Sequence, residues 1–201
     1  MIADCTAIIL AGGDSQRMGG DKANLVLGEQ TLLQHVITTM RELFPEVIVS
    51  VRQLRPEIDL PQVCDEQADI AGGGPLAGVV AGLERVATPW VFVVACDMPF
   101  MTPAMVELLG KYRGQYQAVV PVVQGHPQTL SAFYANGCLA TIRAHVAGGG
   151  KNSLRAVLGN LQVRYVDETE LSTADPVLRS FFDLDTPQDV ANAIRRDGGR
   201  I

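Results

Sequence analysis

Residues 10–22, LAGGDSQRMGGDK, hold four glycines, Arg17 and Lys22 in one passage leading out of an apolar run. Glycine lets a backbone come close to a ligand and aim several N–H donors at phosphate oxygens. Arg17 and Lys22 add the mobile positive charge that a triphosphate requires, as a local focus on a chain that is acidic overall. The passage is not a Walker A loop, because no Gly-Lys-Ser/Thr follows the glycines, and it is not G-x-G-x-x-G. Asp97 comes directly after the most apolar run, WVFVVAC. A carboxylate at such a point can hold Mg²⁺, a hard cation that bridges substrate phosphates. A second acidic pair, Asp183 and Asp185, stands in FFDLDTPQD. Asp185 is a second metal-ligand candidate, or else Asp185 or Thr186 is the N-cap of a helix.

These residues need a scaffold that brings them together. Apolar β-rich runs alternate with segments of helical period, the pattern of an α/β protein in three layers, with a mostly parallel sheet covered by helices on both faces. Strands are expected over 5–10, 47–51, a short run ending at Cys64, 90–95, 118–123, 162–166 and 181–184. The run at 90–95 should be central, and Pro121 marks 118–123 as an edge or irregular strand. Helices are expected over 31–44, after GGGPLAG, after Thr102-Pro103, and from Thr186-Pro187 to about 196. In an open parallel sheet, ligands bind beyond the carboxyl ends of the strands. Gly12 and Gly13, Ser50, Asp65 and Asp97 all fall at such ends, so one edge should collect a glycine loop, a hydroxyl and two carboxylates.

Composition bounds the alternatives. The 201 residues include 16 Lys and Arg against 22 Asp and Glu, a net charge of −6, which argues against wrapping duplex nucleic acid. Aromatics at 5% disfavour stacking platforms for single strands, and 47% hydrophobic residues suffice for a packed core. One domain over 1–201 is expected. The four cysteines form no C-x-x-C pair, no secretory signal is visible, and no apolar run reaches the ~18 residues of a membrane helix. The expectation is therefore a cytoplasmic chain with reduced thiols and no membrane or nucleic-acid partner. His35 is expected to be structural, His126 to be structural or cleft-facing, and AGGGKNS (147–153) to be a glycine turn before a helix. No Ser-His-Asp or H-E-x-x-H arrangement is present.

The ordered set LAGG-x-x-x-RMGG-D-K (10–22), GPLAG (74–78), CDMP (96–99), HP (126–127) and DTPQD (185–189) resembles the molybdenum cofactor guanylyltransferases, among the nucleotidyltransferases of Rossmann-like fold. The resemblance implies transfer of GMP from GTP to the terminal phosphate of molybdopterin or the molybdenum cofactor, with release of pyrophosphate and a requirement for Mg²⁺. It also implies molybdoenzymes or cofactor-delivery proteins as receivers of the product. Carried over by position, it implies nucleotide contacts from Leu10, Ala11, Gly12, Lys22, Ser50, Asp65 and Asp97 and metal binding by Asp97, while Gly13 and Gly78 are further nucleotide-binding candidates and Asp185 remains a metal candidate from its own place in the sequence. Arg17, Lys22 and Asp97 are the expected catalytic residues. At 183 and 185 this chain has Asp where that family commonly has Asn, and related cytidylyltransferases more often have Asp. The nearest alternative is thus the same fold with another base or acceptor, a cytidylyltransferase for the same cofactor or a nucleotidyltransferase for a sugar or alcohol phosphate; a non-enzymatic nucleotide-binding delivery protein is a second, and a nicotinamide dehydrogenase lacks its motif.

Overall fold

A computed structural model describes residues 1–12, 22–67, 70 and 74–196. In chain order the strands are β1 (Cys5–Leu10), β2 (Val26–Leu27), β3 (Gln30–Thr31), β4 (Glu46–Val51), β5 (Gln62–Cys64), β6 (Trp90–Ala95), β7 (Ala118–Val123), β8 (His126–Pro127), β9 (Ser131–Ala135) and β10 (Val163–Val166). The helices are α1 (Leu32–Leu43), α2 (Pro75–Arg85), α3 (Pro103–Gly110), α4 (Cys138–Ala147), α5 (Leu154–Val157), α6 (Glu168–Leu171) and α7 (Pro187–Arg196). Helix starts follow local chemistry. Thr31 caps α1 in a reciprocal box with Gln34, and the Thr102 hydroxyl accepts from Met105 N–H at the start of α3, with Pro103 first in the helix.

The main sheet runs β10-β7-β9-β6-β1-β4-β5, with β8 pairing to β7. β4 and β6 flank β1 in parallel, and β5 extends β4 in parallel. The chain thus leaves β1 towards β4 and returns on its other side at β6, so the carboxyl end of β1 is a topological switch point, where open sheets form their crevice. Side chains alternate between two apolar layers. Ala7, Ile9, Val94 and Phe133 pack with Val36, Met40, Met105, Leu109 and Leu171 of α1, α3 and α6. Ile8, Leu10, Val93 and Val120 pack with Leu76, Val80, Ile142 and Val157 of α2, α4 and α5. Each such large apolar side chain stabilises by about 1.5–3 kcal/mol when fully buried. A third, smaller cluster joins Leu27 and Leu32 of the β2–β3 hairpin region to Leu184 and Val190.

The expected three-layer α/β architecture, the central position of β6 and the last helix match these elements. Other features differ, among them α4 and the β2–β3 hairpin, where no element is expected from sequence. No strand forms over 181–184: Arg179–Phe181 is a 3-10 turn, Leu184 N–H donates to Asp97 O (2.8 Å), and the Leu184 side chain turns into the third cluster instead of a ladder. β9 enters antiparallel between β6 and β7, which sequence periodicity did not reveal. Of the two expected settings of Pro121, edge or irregular, the structure has the irregular one, on an interior strand. The proline sits where β7 has left β9 and takes up β8, so its missing N–H falls at a change of partners, while its carbonyl accepts from Gln128 N–H.

Candidate active site at the carboxyl edge of the sheet

Beyond their last ladder residues, the central strands stay tied together. Ala11 N–H donates to Ser50 O (2.8 Å) and Cys96 N–H donates to Leu10 O (3.0 Å). These bonds place the chain after β1 between the ends of β4 and β6. They also commit two backbone groups of Leu10 and Ala11 to the sheet, so Gly12 is the described residue of this loop best placed to offer backbone to a ligand. Gly13 and Arg17 lie outside the described residues.

Gly12 has a specific reason to lack a side chain. A Cβ there would stand 2.2 Å from Asp65 Oδ2 and 3.2 Å from Arg52 N. Asp65 opens the turn after β5 and is buried against this glycine. Burial raises its carboxyl pKa above the ordinary value, with the Arg52 charge pulling the other way. Arg52 was not singled out from sequence, since a single Arg after a strand carries no local signature of facing a carboxylate thirteen residues on.

The second group lies over β6. Lys22 Nζ stands 3.5 Å from Asp97 Oδ2 and also binds Asp185 Oδ1. Three residues separated by up to 163 positions therefore meet at one ammonium. Asp97 is held in the turn after β6, 19% exposed in its side chain, and burial raises its carboxyl pKa; Lys22 opposes that rise, and the charges of Asp185 and Asp183 reinforce it. For Lys22, burial works against the ammonium, but the Asp185 hydrogen bond and the Asp97 charge outweigh it and hold its pKa above the ordinary lysine value. The cap question at 185–186 is resolved by Thr186, whose hydroxyl accepts from Asp189 N–H (3.0 Å) while Thr186 N–H donates to Asp189 Oδ2 (2.8 Å). Asp185 is thereby left to face Lys22.

Two of the expected contact residues, Gly78 and Ser50, are packed under α2. Gly78 lies in the α2–sheet interface, where a Cβ would be 2.7 Å from Ser50 Oγ and 3.0 Å from Leu10 Cδ2, and its N–H already donates to Gly74 O. Ser50 beneath it is 1% exposed, and its hydroxyl has no partner among the described residues. Both residues stand where α2 closely approaches β1 and β4. Gly82, one turn on, repeats the device over Ile8.

A family model, the MobA-like NTP transferase domain, matches residues 7–166. The chain belongs to that family. It is thus a nucleotidyltransferase, and Asp183 and Asp185 lie beyond the matched span, so the Lys22–Asp185 contact joins the family core to the segment that follows it. The "Probable molybdenum cofactor guanylyltransferase" of Pelotomaculum thermopropionicum is 37% identical over 193 residues, covering 94% of this chain and 91% of that protein. The molybdenum cofactor guanylyltransferase of Desulfosudis oleivorans is 30% identical, covering 94% and 93%. The crystal structure of molybdopterin-guanine dinucleotide biosynthesis protein A from Archaeoglobus fulgidus superposes with a TM-score of 0.81 at 25% identity, over 97% of this chain and all of that one. The fold is shared with the 2-C-methyl-D-erythritol 4-phosphate cytidylyltransferase of Thermus thermophilus, at a TM-score of 0.71 and 20% identity over 95% of this chain and 97% of that one.

The histidines of this MobA-like chain have structural partners. His35 Nε2 lies 2.8 Å from Leu27 O and pins the β2–β3 hairpin to α1. His145 packs over Gly150, with Nε2 at 3.1 Å from Lys151 O and Nδ1 at 2.8 Å from Asn160, so AGGGKNS is a closed turn before α5. His126 is exposed and faces Arg155 (3.2 Å). None of the four cysteines is in a disulfide, and no helix among the described residues is long and apolar enough to cross a membrane.

Proposed function

We propose that this chain transfers GMP from GTP to the terminal phosphate of molybdopterin or the molybdenum cofactor. The observation that carries the reading is the convergence of Lys22, Asp97 and Asp185 at the carboxyl edge of a nucleotidyltransferase sheet, in a chain whose relatives bear guanylyltransferase names. An oxygen of the acceptor phosphate forms a bond to the α-phosphorus of GTP. The bond from that phosphorus to the bridging β-phosphate oxygen breaks, and its electron pair leaves with pyrophosphate. A phosphate monoester is largely ionised near neutral pH, so no side-chain base is needed to create the nucleophile. The protein's task is positioning and charge neutralisation. Lys22 supplies charge at the phosphates, supported by Arg17, while Gly12 and Gly13 offer backbone to the nucleoside beside Asp65.

The donor set fits a divalent cation. Asp97, Asp183 and Asp185 influence one site, where the ion-paired ammonium is that of Lys22, so the described residues there carry more negative than positive charge. No group of three acidic, His or Cys residues forms a ready cage among the described residues. That suits Mg²⁺, which binds through one or two carboxylates together with substrate phosphates and its own waters. We assign Asp97 and Asp185 as the residues that hold it. When bound, Mg²⁺ offsets phosphate charge and orients the triphosphate. We place the reaction in the cytoplasm, in keeping with four cysteines outside any disulfide, with molybdoenzymes or cofactor-delivery proteins as receivers of the product.

The test is pyrophosphate release with molybdopterin and, in turn, GTP, CTP, ATP and UTP, each with Mg²⁺ and with EDTA. Release that needs the acceptor, Mg²⁺ and GTP is the expected result. A preference for CTP makes the chain a cytidylyltransferase, and nucleotide binding with no release under any condition refutes the enzymatic reading.

A further inference from the structure

Lys22 enters the site from a short turn, and whatever holds that turn decides where its ammonium can reach. Lys22–Asn24 is a 3-10 turn, closed by Leu25 N–H on Lys22 O (3.0 Å). Its middle residue, Ala23, is fully buried in the core and sets the depth of the turn. Further on, Leu32 N–H donates to Leu25 O and His35 Nε2 meets Leu27 O, so the β2–β3 hairpin is held to α1 by its own bonds. Nearer Lys22, the tie is to another part of the chain. Asn24 Oδ1 accepts from Arg55 Nη2 at 2.7 Å.

Arg55 is braced as an anchor has to be. It stands in the loop between β4 and β5, 31 residues from Asn24 in sequence. The Gln62 side chain brackets its backbone, accepting from Arg55 N–H (2.9 Å) and donating to Arg55 O (2.8 Å) and Ile58 O (3.2 Å). Ile58 is buried in the core beneath the loop, and the Arg41 guanidinium donates to Asp59 O (3.0 Å), fastening the same loop to α1. The Arg55 side chain is only 14% exposed, and Glu57 Oε1 accepts from its Nε at 2.9 Å. A rigid planar guanidinium gripped at Nε presents Nη2 in a set direction.

The effect of this bracing falls on Lys22. Through Asn24 the turn abuts the β4–β5 loop, while Nζ meets Asp97 beyond β6, so the lysine spans the carboxyl end of β1. A small rotation of the turn is magnified at the far end of so long and flexible a side chain. Asn24 is exposed, so its bond with Arg55 matters more for direction than for the stability of the fold. We infer that Arg55 is a positioning residue for Lys22, fixing through Asn24 the direction in which the ammonium reaches the phosphates. The inference rests on Lys22 acting at the triphosphate, as in the transfer reaction proposed above, and adds what aims it. No local pattern marks Arg55, because its partner comes from a distant part of the chain.

The test is a double-mutant cycle in the full chain, comprising wild type, Arg55→Ala, Lys22→Ala and the two together. Pyrophosphate release is measured with molybdopterin and the Mg²⁺–triphosphate that wild type binds tightest, and affinity for that triphosphate is measured by calorimetry. With Lys22 present, Arg55→Ala should lower kcat about tenfold, as expected of a misaimed charge, and weaken triphosphate binding about threefold. With Lys22→Ala already in place, both effects should shrink to less than about twofold. Asn24→Ala removes an exposed acceptor and leaves the Arg55 loop intact; it should reproduce the Arg55→Ala result, and it takes that variant's place in the cycle should Arg55→Ala fail to fold. Equal losses with and without Lys22 reveal a merely structural role and overturn the inference. So does activity within about twofold of wild type in both Arg55→Ala and Asn24→Ala. The two readings fail separately. A Lys22-dependent loss of triphosphate affinity without any pyrophosphate release upholds the positioning and refutes the reaction, whereas transfer whose loss at Arg55 ignores Lys22 refutes the positioning alone.

Discussion

Replacing Lys22 by alanine tests the centre of the site. Lys22 Nζ is 3.5 Å from Asp97 Oδ2 and pairs also with Asp185. At an effective dielectric of ~20, the gross attraction to Asp97 is about 5 kcal/mol. Lys22 is 31% exposed and Asp185 52% exposed, so solvent screens much of this and the second contact contributes at most about 1 kcal/mol. In the ligand-free protein, the lost attraction is partly offset by relief of the lysine's own desolvation, and the melting temperature should fall by no more than about 4 °C. In turnover the missing charge is not replaced. Loss of about 3 kcal/mol of transition-state stabilisation lowers kcat by roughly 10² or more. The substitution also removes the charge that holds the Asp97 carboxyl pKa down against burial, so that pKa climbs further. The acid limb of the kcat profile, read by pyrophosphate release at saturating GTP and acceptor, should move to higher pH. Turnover within about threefold of wild type, with the acid limb unmoved, would falsify the assignment of Lys22.

Asp97→Asn should separate activity from stability. Because folding raises the Asp97 pKa, its ionisation subtracts stability as pH rises from the unfolded value of about 4 through the folded one. The variant should equal wild type in melting temperature below pH 4, match or exceed it by about 2 °C at pH 7, and lose turnover at least ~10²-fold; a drop of more than about 5 °C at pH 7 counts against the reasoning. Gly82→Ala drives a Cβ to 2.4 Å from Ile8 Cδ1 in the fully buried middle of β1, so denaturant titration should show a loss of about 1–3 kcal/mol, and unchanged stability would mean that α2 is free to shift. Burial pushes the Cys5 thiol up to about 12 and Cys138 up to about 11. Ellman's reagent at pH 8 should therefore label partly exposed Cys64 rapidly and these two only on unfolding, and fast native labelling of Cys5 would contradict its placement.

Much of this molecule is local in origin. The apolar runs of β1, β4 and β6 and the Thr caps of α1 and α3 each follow from neighbouring residue types, because strand burial and capping are short-range effects. Asp65 and Asp97 could be placed on one edge from sequence for the same reason, since parallel strands send their carboxyl ends the same way. What the chain could not disclose is which distant groups meet. β9 pairs through contacts with no sequence-local signal, and Phe182 with Asn192 are brought to one cavity by a turn and a helix that dock on the hairpin. Glycines 12, 78 and 82 look alike in sequence, yet one backs a carboxylate and two let a helix settle on the sheet, a distinction set by steric neighbours tens of residues away. Asp185 could have capped α7 or reached a cation; tertiary packing decided, because Thr186 satisfies the helix end and leaves the carboxylate to the ammonium of Lys22.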